Sequence, residues 1–430
     1  MTLNRRTFLR LAGGSGLAAA AAGLPTTGAT GTTRAAKPAG SDPLRVYVLV
    51  VDGARPDEVT SGLMPRLADL RARGTNYPAA RSLPVMETIP NHVMMATGVR
   101  PDRSGVPANS VYDRSTGAIR ELDQPSDLRV PTVWRTLRES GVVTGTVLSK
   151  RYLHGIFGGQ ATHEWEPAPL VPVSGHAPDA ATVQALVDMV DAHDPALVLV
   201  NLGDVDRVGH SDETGGLSVA AARKAALAST DLQVGRFLDH LRATGRWSSS
   251  VVMVLADHSM DWSLPQRVVS LTPTFAADAL LAGRVVVAQN GGADLCYWTG
   301  PEGERAAAVQ RMRGIAATVD GVLRTHEPGD LRLGPEAGDV VVYCRSGWRF
   351  TEPALVSNPI PGNHGHPVTE PIPFFVGGGS RRVRRGTSSA QARTVDIAPT
   401  VAALFGLPAP DGGFDGTART DAFTTVAART

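Results

Sequence analysis

Lysine is scarce in this chain: Lys37, Lys150 and Lys224 are the only ones among 430 residues, and arginine supplies the rest of the 42 basic side chains. Against 41 acidic residues the formal charge is +1, which leaves no bulk excess of the kind a nucleic-acid binder carries. Cysteine is rarer still. Cys296 and Cys344, both in strand-like stretches, exclude a disulfide-built scaffold and leave two outcomes open, one bridge or two buried thiols. Long apolar runs are also missing. The best, residues 11–24, is short, small-sided and broken by glycine, so no transmembrane segment is expected in the mature chain. No internal repeat occurs, and no low-complexity tract beyond the N-terminus.

The chain does contain 42% hydrophobic residues, enough for a sizeable core in one large domain or two modest ones. Arg5-Arg6 stands before the weak apolar run, and a Thr/Gly/Ala-rich stretch follows to about residue 40. That order reads as a twin-arginine export signal, so residues 1–40 are expected to be signal and linker and the protein to be extracellular or in the cell envelope. Residues 41–417 are then the catalytic domain and 418–430 a tail.

Residues 46–51 form a continuous apolar run ending at Asp52-Gly53, the pattern of a strand buried on both faces. Helices are expected over 64–73, 131–139, 180–191 and 217–244, alternating with strands over 142–148, 196–202 and 250–256. Such alternation predicts an α/β fold, a mostly parallel central sheet with helices on both faces. Between 263 and 352 the texture changes to strands at 284–289, 295–298 and 338–344 and a helix at 305–319, a small α+β layer inserted late in the chain. Residues 358–373 read as an irregular Gly/Pro/His-rich loop, and 394–405 as a helix.

Three carboxylates follow strand ends: Asp52, Asp206 and Asp257. In an open parallel sheet the carboxyl ends of the strands share one crevice where ligands bind. Any one of these could simply start a turn, but two come with histidines, Asp206-Arg-Val-Gly-His210 and Asp257-His258, and Gly362-Asn-His364-Gly supplies another imidazole. Carboxylates and imidazoles suit zinc, and two divalent ions can activate an oxygen nucleophile and neutralise a phosphoryl group together. A hydroxyl stands at Thr88. Pro90 suits a first helical position, which puts Thr88 just outside a helix N-terminus, a good place to hold phosphate or an ordinary N-cap.

Together these motifs resemble a known family. Val51-Asp-Gly-Ala-Arg-Pro-Asp57, Thr88-Ile-Pro-Asn-His92, Thr97-Gly98, Asn109-Ser110, Asp206 to His210, Asp257-His258 and Gly362 to Gly365 look, in order and spacing, like the nucleotide pyrophosphatase/phosphodiesterase branch of the alkaline phosphatase superfamily. The resemblance implies an alkaline phosphatase-like fold and two Zn2+, or other divalent ions. One would be held by Asp52, Asp257, His258 and the Thr88 oxygen, the other by Asp206, His210 and His364. It further implies that Thr88 is the nucleophile of a phospho-threonine intermediate and that Asn109 donates to a phosphoryl oxygen. The substrate would be a small phosphate ester or nucleotide, and no nucleic-acid binding is expected.

Glu87, Ile89 and Ser259 depart from the lysine, phenylalanine and glycine usual at these places, which touches substrate preference and not the ligands. No Cys/Ser-x-Pro-x-Arg signature surrounds Thr88, against a sulfatase. His92 reads as a structural hydrogen-bonding residue behind Thr88, and His366 as a residue able to reach substrate. Of the others, His154, His163, His176, His193, His240 and His326 read as surface or loop residues. The segment 147–155 loosely resembles phosphonoacetate hydrolases, in which two lysines hold the substrate carboxylate; Lys150 matches the first and Tyr152 stands at the second. Cleavage of a C–P bond, phosphomonoester hydrolysis and a non-catalytic metal-binding role thus remain as alternatives. The leaving group is expected to be read by loops around 154–172 and 264–294.

Overall fold

A computed structural model describes residues 43–172, 174–211, 217–351 and 362–424. The expected export signal and residues 425–430 of the tail lie outside the described residues. Eight strands make the main sheet: β1 (Arg45–Val51), β2 (Thr75–Asn76), β3 (Thr144–Leu148), β4 (His163–Trp165), β5 (Leu197–Leu202), β6 (Ser250–Leu255), β7 (Phe374–Gly378) and β8 (Gly386–Thr387). Their spatial order is β8-β2-β7-β6-β1-β5-β3-β4. Strands β1, β3, β4, β5 and β6 run parallel, with Val50 opposite both Asn201 and Leu255. β7 runs antiparallel to β6.

The three central strands read Val/Leu/Met-rich because both faces are covered, and every residue of β1, β5 and β6 is buried. Helices Pro65–Ala72, Asp179–His193 and Asp204–Ser211 each pack against Leu217–Ala243, and Thr88–Thr97 packs with Val133–Glu139 and Ile397–Phe405. These elements follow the hydrophobic periodicity closely. β7 did not: its sequence, Phe-Phe-Val-Gly-Gly, ends in two glycines, which weaken any strand signal, and tertiary pairing with β6 decides the conformation.

Late in the chain, Val285–Asn290, Ala293–Trp298, Val340–Cys344 and Val322–His326 form a four-stranded antiparallel sheet in that order. The helix Arg305–Ala316 packs on it, and Trp298, Met312, Phe275 and Phe350 share an apolar cluster of their own. Cys296 and Cys344 are buried there with no disulfide between them. Of the two outcomes, the structure takes the unbridged one.

Candidate active site

The carboxyl ends of β1, β5 and β6 converge on one buried cluster. Asp52 leaves β1 with its backbone N–H on Leu202 O, at 3.0 Å. Gly53 then turns with φ of +70°, and a Cβ there would sit 3.1 Å from Asp206, so only glycine lets the two aspartates approach. Asp206 and His210 share a face of Asp204–Ser211, four residues apart, with His210 Nε2 3.3 Å from Asp206 Oδ1. Asp257 and His258 follow β6 directly. His364 follows Gly362–Asn363, which pairs with Asp261–Trp262 and presses so close to Gly209 that a Cβ on Gly362 would lie 2.1 Å from its carbonyl oxygen.

Thr88 is the first residue of Thr88–Thr97, with Glu87 as the extended N-cap. The helix thus starts two residues earlier than Pro90 suggested; Pro90 still falls within the first turn, where its missing N–H leaves no intrahelical bond unmade. Thr88 is 1% exposed. Its Oγ1 lies 3.2 Å from His258 Nε2 and accepts from Lys150 Nζ at 3.3 Å.

Three imidazoles are set alike. His210 Nδ1 donates to Gly362 O at 2.8 Å, His258 Nδ1 to Ser259 O at 2.9 Å and His364 Nδ1 to Met86 O at 3.1 Å. A carbonyl can only accept, so each ring holds a proton on Nδ1 and turns Nε2 inward, the orientation of a metal-ligating histidine. Burial drives His258 down to about 4, partly offset by Asp52, and burial with the neighbouring imidazoles drives His364 well below its ordinary value. Both are therefore neutral and able to ligate. The rings of His258 and His364 stack with centroids 3.6 Å apart.

The carboxylates complete the donor set. Asp52 Oδ1 and Asp257 Oδ2 are buried with no hydrogen-bond partner among the described residues, and Asp206 Oδ1 meets only the imidazoles of His210 and His364, at 3.3 and 3.9 Å. Buried carboxylate oxygens left this way are costly unless a cation meets them. Donor atoms of Asp206, His258 and His364 lie within 4.8 Å of one another, and so do those of Asp52, His92 and Asp257. The residues present therefore fit two metal ions. His92 is the exception within its group: Nδ1 donates to Thr88 O at 2.8 Å and Nε2 accepts from Asn201 Nδ2 at 3.1 Å, so neither nitrogen is left for a metal. It braces the backbone of Thr88.

Lys150 lies at the centre, fully buried, with Nζ 2.7 Å from Asp52 Oδ2 and 2.8 Å from Asp206 Oδ2. Burial lowers its pKa, but the two carboxylates outweigh that and hold it above the ordinary lysine value. Conversely, burial raises Asp206 while Lys150 and His210 pull it well below the usual carboxylate range. Asp52 and Asp257 go the other way, raised by burial.

Asn109 sits beside the helix start. Its Oδ1 accepts Ile89 N–H at 2.8 Å, its own N–H donates to Glu87 Oε2 at 2.8 Å, and the residue lines the cleft. Glu87 is buried, and that burial pushes its carboxyl up to about 8. His366 does not line the cleft: fully buried, its Nε2 is 3.0 Å from Asp261 Oδ2. His176, read as a surface or loop residue, is instead buried against Asp204 at 3.0 Å.

The cleft over Thr88 has a volume of about 380 Å3. Its outer wall comes from the inserted layer, through Gln289, Asn290, Gly291, Arg349 and Phe350, and from Glu121, Tyr152 and Arg207. Residues 289–291 fall in one of the two loops expected to read the leaving group; 154–172 supplies none of the lining. Sequence reasoning missed Asn201, whose Nδ2 holds Asp52 Oδ2 at 2.7 Å, although an asparagine inside Leu-Val-Leu-Val-Asn-Leu is a readable signal.

Residues 46–367 match the family described as type I phosphodiesterase / nucleotide pyrophosphatase. A curated relative, mouse ectonucleotide pyrophosphatase/phosphodiesterase family member 3, is 25% identical over 246 residues, 55% of this chain and 27% of its own length. The bovine bis(5'-adenosyl)-triphosphatase ENPP4 is 21% identical over 398 residues, 90% of this chain and 83% of its own. The chain thus spans about a quarter of the first curated relatives it matches, 27% in both the mouse and rat proteins. In fold it is similar to murine ectonucleotide pyrophosphatase/phosphodiesterase 5, at a TM-score of 0.72 and 16% identity over 88% of this chain and 100% of the other.

Proposed function

This chain belongs to the type I phosphodiesterase / nucleotide pyrophosphatase family, and from that premise we propose that it hydrolyses phosphodiester or nucleotide pyrophosphate bonds through a phospho-threonine intermediate at Thr88. One observation carries the reading: three inward-turned imidazole nitrogens and three incompletely bonded carboxylates gather in one buried cluster, with the Thr88 hydroxyl 3.2 Å from one of those imidazoles. Two divalent cations, zinc in this reading, held by Asp52, Asp257, His258 and Thr88 and by Asp206, His210 and His364, would supply Lewis-acid charge for the nucleophile and the phosphoryl oxygens.

The chain's own residues do the rest. Burial keeps bulk water from the Thr88 hydroxyl, and the Lys150 ammonium beside it favours its oxyanion. Asn109 Nδ2 donates to a non-bridging oxygen as charge develops there. Thr88 Oγ1 forms a bond to phosphorus, the P–O bond to the leaving group breaks, and water then hydrolyses the phospho-threonine ester and restores the hydroxyl. A related solved structure, an inactive threonine-to-alanine form of the murine protein 5, is described as a complex with AMP, which supports a nucleotide substrate.

Lys150 also bears on the competing chemistry. An ammonium has three donors, and Asp52, Asp206 and Thr88 take all three, so none is left to clamp a substrate carboxylate. That disfavours a phosphonoacetate-type reaction. Export by the twin-arginine route to the cell envelope or beyond is part of the same proposal, supported by Arg5-Arg6 and the weak apolar run after it. The test is acid quenching of the zinc-loaded protein during turnover, followed by peptide mapping. A phosphoryl adduct on the peptide that holds Thr88 is expected; turnover with no adduct there refutes the covalent route.

A further inference from the structure

A second hollow, with a volume of about 380 Å3, opens at the other end of the sheet. Five of its lining side chains are guanidiniums, Arg66, Arg73, Arg242, Arg381 and Arg385, and one, Asp69, is a carboxylate. They come from the helix Pro65–Ala72 and its C-cap, from the end of Leu217–Ala243, and from the loop between β7 and β8. Ser380 N–H in that loop donates to Ser250 O at 3.1 Å, at the first residue of β6 and so at the opposite end of that strand from Asp257. The hollow shares no lining residue with the cleft over Thr88.

The loop backbone is fixed from several sides. Val383 N–H donates to Ser380 O at 3.0 Å, Arg384 N–H to Ala422 O at 2.8 Å, and Thr75 Oγ1 to Arg384 O at 3.0 Å. Gly379 presses against Trp247, where a Cβ would lie 2.3 Å from the carbonyl oxygen. Along Arg381-Arg-Val-Arg-Arg385 every second residue, 381, 383 and 385, lines the hollow while Arg382 and Arg384 do not, the alternation of an extended chain. Arg73 meets Asp69 at 2.8 Å, and Arg66 and Arg242 share Asp239 at 3.6 and 2.7 Å, whereas no carboxylate among the described residues lies within ion-pair distance of Arg381 or Arg385. Leu70 and Leu238, the leucines of the lining, are buried, so neither projects to enter a lipid layer. Trp247 already carries Arg242 over its ring, 4.5 Å from the centroid, in the place a nucleotide base would stack. The hollow thus offers positive charge in a space that takes a whole small ligand.

We propose that this hollow is a non-catalytic binding site for a short inorganic phosphate chain, separate from the cleft over Thr88. Arg381 and Arg385 each set a planar fork on phosphate oxygens, and Arg66, Arg73 and Arg242 add positive potential around them. The site stands whether or not the hydrolase reading does, because it shares neither residues nor chemistry with it.

The experiment titrates inorganic triphosphate, with magnesium in excess, into the zinc-loaded chain by calorimetry. A Thr88→Ala background prevents turnover, and that protein is compared with the same protein carrying either Arg381→Gln with Arg385→Gln or Arg382→Gln with Arg384→Gln. All four arginines are exposed, and each pair removes two charges from one loop, but only the first pair reaches the hollow. The cleft over Thr88 is the same in all three proteins and contributes the same signal to each. The expected result is a binding event that the first pair weakens about tenfold or more and the second leaves within about twofold. Equal weakening by both pairs would show diffuse surface charge, and a titration that the first pair leaves unchanged would show no site; either overturns the proposal. It is also overturned if triphosphate gives no such event while the chain binds phosphatidylglycerol vesicles through Arg381 and Arg385, which would assign the arginines to an anionic membrane surface.

Discussion

At the residue scale the account turns on what each polar atom already has. Thr88, Lys150 and the inward-turned imidazole nitrogens form one connected set, so single substitutions should give distinguishable failures. Thr88→Ala should lower the diesterase rate at least about a thousandfold while metal content stays near two per chain, since three protein ligands remain for each site. Lys150→Met removes the one cation shared by Asp52 and Asp206. The metal-free protein should lose roughly 3 kcal/mol of stability, because two buried carboxylates are left unpaired, and added zinc should recover most of the loss. Thermal melts with and without metal check this; a metal-independent loss would mean that Lys150 merely packs. Glu87 acts through Asn109, whose backbone it holds. Glu87→Gln should cost about tenfold in kcat, less than the hundredfold or more expected of Asn109→Ala, with KM little changed.

At the scale of elements, the site depends on close approach between the end of Asp204–Ser211 and the segment that carries His364. Gly362→Ala would place a Cβ 2.1 Å from Gly209 O and 2.8 Å from His210 Cα, so backbone must move. Loss of one of two bound metals, read by elemental analysis, is the expected outcome. Full occupancy would show that the two elements are not locked together. The strands that bring Asp52, Asp206 and Asp257 together were legible because each is a short apolar run with an acidic residue just beyond it. The helix bearing Thr88 was legible for its Pro-Asn-His start. What escaped was whatever depends on contacts distant in sequence. β7 is held by pairing with β6, His366 is turned away from the cleft by Asp261, and Arg349 enters the wall because a ladder with Val268, 81 residues away, puts it there, a separation that local periodicity does not reach.

Across the whole molecule, catalysis and stability separate by position in the sheet. The metal residues gather at the carboxyl ends of β1, β5 and β6, while Arg45, at the start of β1, holds Asp194 at 2.7 Å with help from Arg246 at 3.1 Å. The hydrogen bond from Arg45, with Arg246 adding to it, keeps the Asp194 carboxyl below its ordinary value. A carboxyl with a depressed folded-state pKa stabilises the fold above the unfolded value, about 3.9, and that contribution is lost as pH falls through the lower folded value. Asp194→Asn should therefore lower Tm at neutral pH, and the gap should close below about pH 4. A gap independent of pH would assign Asp194 a purely conformational role.

The most direct test of the central claim is a side-by-side rate of the zinc-loaded protein on bis-p-nitrophenyl phosphate and on p-nitrophenyl phosphate, with Thr88→Ala as control. A diester preference that vanishes in Thr88→Ala is the predicted result. A monoester preference, or a diester rate that survives the loss of the Thr88 hydroxyl, would contradict it.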